Sequence, residues 1–166
     1  IYRWFLMQEN TKNKIKVFLF SILSAELIGG LSALLTRKGM EAFKIINKPS
    51  LTPPAVVFPI VWTILFALMG ISFGMILLSK PSVAKNRSII IYVLQLIVNF
   101  FWSIFFFNLQ AFGLSFFWLL LLLFLICLMI YNFYQVNKLS ALLQIPYLIW
   151  VAFAGYLTFS IWILNK

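Results

Sequence analysis

Gln95, Asn99 and Ser103 recur at i, i+4 and i+8, and Phe106 continues the series, so all four share one face if this stretch is helical. Amides and hydroxyls in that register either hydrogen-bond neighbouring helices together or line a cavity, and periodicity alone favours the first use. Pro146-Tyr147 precedes Trp150 and Ala154, again four apart. Proline frees a backbone carbonyl and can kink a helix, which makes room for a pocket beside it. Pro59 precedes Trp62, with Phe58 and Phe66 one turn to either side. An indole N–H inside a bundle needs an acceptor, and its face suits flat aromatic ligands. Ordinary core packing accounts for the same residues, and Trp118 and Trp162 also fit an interfacial aromatic belt.

Other chemistries are closed. The sequence has no histidine and a single cysteine, Cys127, set in a run of leucine and phenylalanine. A His/Cys metal centre, a His-based triad, an intrachain disulfide and a histidine-ligated haem are therefore excluded. Neither a metal nor a resident cofactor is expected, and no catalytic constellation of the conventional kind is visible. Glu26 is the one acidic residue deep within an apolar run. It fits either proton coupling or a cationic partner, or else a protonated carboxyl hydrogen-bonded to a neighbouring helix.

The elements that position these residues follow from composition. Of 166 residues 64% are apolar, far above the share in soluble domains, so lipid must be the main solvent. A net charge of +10 taken alone suggests nucleic acid, but the basic residues fall between apolar runs, where membrane proteins carry them. No nucleic-acid partner is expected. Five apolar stretches, near residues 17–35, 55–78, 89–109, 112–134 and 141–164, meet the roughly 20 residues needed to cross a hydrocarbon core. They lack the alternation of barrel strands, so the predicted class is all-α, a five-helix transmembrane bundle. Residues 1–16 read as an N-terminal tail, with 1–6 a possible non-native extension before Met7, and 17–166 as a single membrane domain.

The first connection, 36–54, is the longest. Met40, Phe43 and Ile46 are spaced for a short interfacial helix that ends at Pro49, and Pro53-Pro54 stiffens the approach to the second span. Phe43, Ile46, Pro49, Pro53 and Pro54 thus form a candidate lid. Gln110 to Gly113 reads as a tight turn and Asn132 to Ser140 as a short polar link. Ser21, Ala25, Gly29 and Ala33 in the first span, with Gly70 and Gly74 in the second, suit close helix approach within the bundle or between protomers. Basic residues on the N-terminal side outnumber those opposite, which places the N-terminus in the cytoplasm.

Three motifs carry a resemblance. They are Lys48-Pro49-Ser50-Leu51-Thr52-Pro53-Pro54 leading to Ile60-Val61-Trp62-Thr63-Ile64-Leu65-Phe66; Asn99-Phe100-Phe101-Trp102-Ser103 with Phe105-Phe106; and Pro146-Tyr147-Leu148-Ile149-Trp150 leading to Ala152-Phe153-Ala154-Gly155-Tyr156-Leu157. In order and spacing they resemble the signatures of the TspO/MBR family (tryptophan-rich sensory protein / translocator protein) over about residues 17–166. The resemblance implies a bundle with an inter-helix pocket beneath the first loop, often a homodimer, in a bacterial cell membrane. It implies binding of porphyrins, and in some members of cholesterol or benzodiazepine-type ligands. Trp62 and Trp150 match two tryptophans linked in bacterial relatives to light-dependent porphyrin degradation; Asn99, Trp102, Tyr147 and Ala154 match pocket-associated positions. The chain departs from the pattern at Leu51, where tryptophan is common, and at Ala42-Phe43, where a Trp-Tyr pair is common. After Tyr156 the next basic residue is Lys166, too distant for the proposed sterol motif.

Three functions follow as expectations. The first is a membrane binding protein or carrier for porphyrin-type tetrapyrroles or similar apolar aromatic molecules, held by Trp62, Phe66, Asn99, Trp102, Ser103, Phe106, Tyr147, Trp150 and Ala154. The second is a light-dependent porphyrin-degrading activity resting on Trp62 and Trp150. The third is a structural or regulatory membrane subunit whose pocket is filled by lipid.

Overall fold

The computed structural model describes residues 2–166, with side chains from Thr11 onward. Ile1, the first of the six residues set apart above, lies outside the described residues. Five helical segments are long and apolar enough to cross a membrane, and the described residues form no strand. The all-α five-span bundle is therefore observed. Its helices are α1 (Tyr2–Ala42), α2 (Val57–Leu77), α3 (Val83–Ser103), α4 (Phe112–Val136), α5 (Lys138–Leu142) and α6 (Ile145–Leu164). The short α5 and α6 together make the fifth span.

The first span is longer than its apolar run. Instead of a separate interfacial helix in a long loop, α1 continues through Met40 to Ala42 and closes with a 3-10 turn at Phe43–Ile45. The segment from Thr36 to Ala42 contains no proline and several good helix formers, so nothing stops the helix where its hydrophobicity ends. The Thr36 hydroxyl donates back to Ser32 O at 2.8 Å. Gly39 sits where a Cβ would collide with the Phe107 carbonyl, so this glycine serves close approach rather than helix termination. The true connection begins at Ile46, whose backbone is extended.

The small-residue faces are used inside the chain. A Cβ on Gly70 would strike the backbone of Ile22, one on Gly74 would lie 2.7 Å from the Phe18 ring, and one on Gly29 would lie 2.5 Å from Phe66. Ala25 and Ser21 are fully buried. Glycine lets α1 and α2 approach nearly backbone to backbone, so Ser21, Ala25, Gly29, Gly70 and Gly74 pack within the bundle, whereas Ala33 stays exposed. Among the described residues Glu26 is half-buried on α1.

Beyond α2 the chain turns at Ser82, whose Oγ accepts from Lys85 N at 3.0 Å and caps α3. The Lys85 ammonium donates to Leu77 O and Ser79 O at 2.7 and 2.8 Å, covering carbonyls at the end of α2. The tight turn after α3 forms as expected, with Gln110 rather than a glycine in the left-handed region, at φ 49°. The expected polar link at 132–140 shrinks to Asn137. Asn132 stays helical because its amide donates to Leu128 O at 2.8 Å, and Asn137 Oδ1 caps α5 by accepting from Ser140 N at 3.1 Å. Pro146 does not kink a continuous helix. The span breaks between α5 and α6, and the proline occupies the first turn of α6, where its missing N–H costs nothing.

Candidate functional site

The polar stripe of α3 meets α6 at Tyr147. Asn99 Nδ2 donates to the Tyr147 hydroxyl at 2.7 Å, and that hydroxyl donates to Gln95 Oε1 at 2.8 Å. Gln95 Nε2 in turn lies 3.8 Å from Met69 Sδ on α2. Gln95, Asn99 and Tyr147 are all buried, so the network ties three spans where water cannot substitute for a lost partner. Two of the stripe's three polar residues thus act as helix glue. Ser103 stands half-buried outside this network.

Two aromatic groups flank the network. On one side Trp62 meets Phe66 at 5.6 Å between ring centroids and Tyr147 edge-on at 6.3 Å. Trp150, one turn beyond Tyr147, meets Phe58 edge-on at 5.9 Å and Phe153 at 5.8 Å. Large rings therefore bridge α2 and α6. Ala154, one turn further along α6, is buried on the same helix face as Tyr147 and Trp150. On the other side Trp102 stacks on Phe106 at 5.2 Å, and Phe106 meets Phe112 at 5.4 Å. Trp102 Nε1 is buried with no hydrogen-bond partner. By contrast, the Trp118 indole donates to Val98 O at 2.8 Å, which makes it part of the bundle rather than a free interfacial ring.

The first connection lies over the second aromatic group. Phe43 contacts both Phe106 and Phe107 with centroids 5.5 Å apart, and Ile46 packs on the core. Both phenylalanines reach Phe43 because α3 runs into a π-helical turn at Ile104–Asn108, closed by the bond from Leu109 N to Ile104 O at 3.1 Å. The extra residue per turn swings successive rings toward the same partner. Asn165 fastens the far side: its Oδ1 accepts from Asn47 N at 3.1 Å and its Nδ2 donates to Asn47 O at 2.8 Å. Lys48 reaches back to Lys44 O at 3.2 Å with its ammonium 4.6 Å from the Phe43 ring centre. Thr52 closes a turn on Pro49 O through both its N–H and its hydroxyl, at 3.0 and 2.7 Å. Pro49 and Pro53 are half-buried in this cover, whereas Pro54 and Leu51 face outward.

The structure thus brings Trp62, Phe66, Asn99, Tyr147, Trp150 and Ala154 around one polar centre, and Trp102, Phe106, Phe43 and Ile46 around another point nearer the cover. Ser103 and Pro54 stand apart from both. Asn47, Asn165, Phe107 and the π turn escaped sequence reasoning. Nothing in the spacing of an asparagine next to the last residue signals a bond to the first connection, and a π turn has no composition of its own. Gln95 was visible in the stripe, but only Tyr147's position shows why it matters.

Known proteins are similar to this chain in sequence. The sequence profile of the TspO/MBR family matches residues 20–163. The chain is 40% identical over 121 residues to the tryptophan-rich protein TspO of Chlorobaculum tepidum, covering 71% of this chain and 75% of that protein. It is 36% identical over 124 residues to the protein CrtK of Rhodobacter capsulatus, covering 72% of this chain and 76% of that one. It is 31% identical over 146 residues to the translocator protein of Bos taurus, covering 86% of each. A match that runs through all five spans, on a bundle whose motif residues converge as described, identifies this multi-pass membrane protein as a member of the TspO/MBR family.

Proposed function

We propose that the protein binds porphyrin-type tetrapyrroles, or flat apolar aromatic molecules like them, between its helices beneath the first connection. The observation that supports this reading is Trp102. Its indole N–H is buried and unpartnered in a wall otherwise made of phenylalanine rings, next to a cover fastened at Asn47 and Asn165. An orphaned buried donor costs about 1–3 kcal/mol. A ligand that carries both an aromatic face and an acceptor, as a porphyrin with its propionates does, offsets that cost on entering. Phe106, Phe43 and Phe107 supply faces for stacking. Titration of the purified protein with protoporphyrin IX, followed by the shift of its main absorption band, tests the reading; a titration without saturation at micromolar concentrations would refute it.

A second reading has its own support. Trp62 and Trp150 are half-buried on α2 and α6 and flank Tyr147, so a macrocycle seated there would meet two oxidisable indoles. On this reading the bound porphyrin degrades under light, the indole giving an electron to the excited macrocycle and dissolved dioxygen acting as the oxidant that opens the ring. Illumination of the loaded protein followed by product analysis distinguishes it from simple binding.

A further inference from the structure

Towards the end of the bundle opposite the first connection, α4 and α6 share an outer surface. Cys127, Ile130, Tyr131 and Tyr134 of α4 and Ile145 and Leu148 of α6 line an apolar groove of about 370 Å³. The groove is shallow and open on its outer side, a shape that a chain lying along the surface can follow. Tyr131 and Tyr134 are more than half exposed, and Cys127 is exposed and lines the groove.

Lys138 stands at the mouth. Its ammonium lies 5.5 Å from the ring centre of Tyr134, one of the residues that line the groove. Neighbouring Lys85 is spent on the carbonyls that end α2, but Lys138 faces no carboxylate among the described residues. Of the described acids, Glu26 and Glu41 both belong to α1, and Glu41 is at the other end of the bundle. A cation at the membrane surface above an apolar channel matches one kind of molecule, an amphiphile with an anionic head and a hydrocarbon tail.

We propose that this groove is a site for an anionic phospholipid, with one acyl chain lying along Cys127, Ile130 and Leu148 and the phosphate paired with Lys138. The surrounding charge points the same way. Lys12, Lys14, Lys16, Lys80, Lys85 and Arg87 all belong to this end of the bundle, where an anionic leaflet attracts them. The site lies on the lipid-facing side of α4 and α6 and is independent of any ligand beneath the first connection.

The test uses the full chain released from detergent for native mass spectrometry, with dioleoyl phosphatidylglycerol or dioleoyl phosphatidylcholine as probe. The anionic lipid should be retained about fivefold over the zwitterionic one, the ratio equivalent to the ~1 kcal/mol that one lysine contributes at an anionic surface. Lys138→Gln should bring the ratio to about one, and Lys138→Arg should preserve it. In nanodiscs, alkylation of Cys127 by a membrane-permeant maleimide should slow in phosphatidylglycerol and recover in Lys138→Gln. Leu148→Trp, which fills the groove, should reduce retention of both lipids. Equal retention of the two lipids by the unaltered protein overturns the proposal. So does Cys127 protection that rises with protein concentration whatever the lipid, which would mean that a second copy covers the groove.

Discussion

Two buried tyrosines separate what a hydroxyl does from what a ring does. Tyr147 gives its hydroxyl to Gln95 and receives Asn99, while Tyr92, stacked on Phe73 with centroids 4.0 Å apart, has a buried hydroxyl without a partner. Removing the first strands two buried amides, whereas removing the second relieves a desolvated hydroxyl. Tyr147→Phe should therefore destabilise the bundle by about 1–3 kcal/mol, and Tyr92→Phe should be neutral or slightly stabilising. Thermal unfolding in detergent checks the pair, and equal losses would mean that the network around Tyr147 contributes nothing. The same reasoning applies to Trp102. Trp102→Phe keeps a ring against Phe106 but discards the unpartnered N–H together with one ring of the indole, leaving a small void. Stability should fall by about 1–2 kcal/mol through that void, while porphyrin affinity falls about tenfold, the equivalent of one hydrogen bond worth ~1.4 kcal/mol. Unchanged affinity would remove Trp102 from the binding role. At this scale the sequence was informative about residue type but not about pairing. Asn99 and Gln95 were visible as a stripe, yet whether they were glue or lining depended on Tyr147, which sits 48 residues away from Asn99 and on another helix.

Elements behave differently, because their ends are set by details finer than hydrophobicity. The spans were legible from runs of apolar residues, since a hydrocarbon core tolerates little else. The boundaries were less so: α1 outruns its apolar segment into the first connection, and the fifth span breaks at Leu143 and Gln144, just before Pro146, instead of bending at the proline. The glycines were legible as contact points but not as to which contact. A Cβ at Gly70 meets the main chain of Ile22, which cannot give way cheaply, whereas one at Gly30 meets nothing within 4 Å. Gly70→Ala should thus cost about 1–3 kcal/mol through overpacking. Gly30→Ala should stabilise α1 by up to ~1 kcal/mol through helix propensity. Unfolding curves that move together would contradict the asymmetry. The cover over Phe106 and Phe107 is held by aromatic contact at one end and by Asn165 at the other. Asn165→Ala removes both bonds to Asn47 without touching the aromatic wall. Bound porphyrin should then dissociate several-fold faster, with little change in helix content by circular dichroism. Dissociation at the original rate would mean that the aromatic contacts alone hold the cover.

For the whole molecule, an odd number of spans fixes one relation and charge sets another. Five crossings put Lys12 and Lys166 on opposite faces of the membrane. Lys12, Lys14, Lys16, Lys80, Lys85, Arg87 and Lys138 gather at one end, and Arg37, Lys38, Lys44, Lys48 and Lys166 at the other. The excess is small, and the structure sharpens it. Lys44 and Lys48 belong to the folded cover, where Lys48 is engaged with Lys44 O and the Phe43 ring, whereas Lys12, Lys14 and Lys16 lie exposed on α1 before its apolar part. Positive charge close to a span and free in water is what retains a segment in the cytoplasm, so the first span should orient the bundle with the N-terminal end inside. In a Cys127→Ala background, Lys166→Cys should react with a membrane-impermeant maleimide on intact cells, and Lys12→Cys only after permeabilisation. Labelling of both from one side would contradict five spans, and the reverse pattern would keep the bundle but invert it. Inversion would also move the groove beneath Lys138 into the outer leaflet, where anionic lipid is scarcer, and would place the cover at Phe43 on the cytoplasmic face. The same labelling therefore decides which compartment the first connection faces.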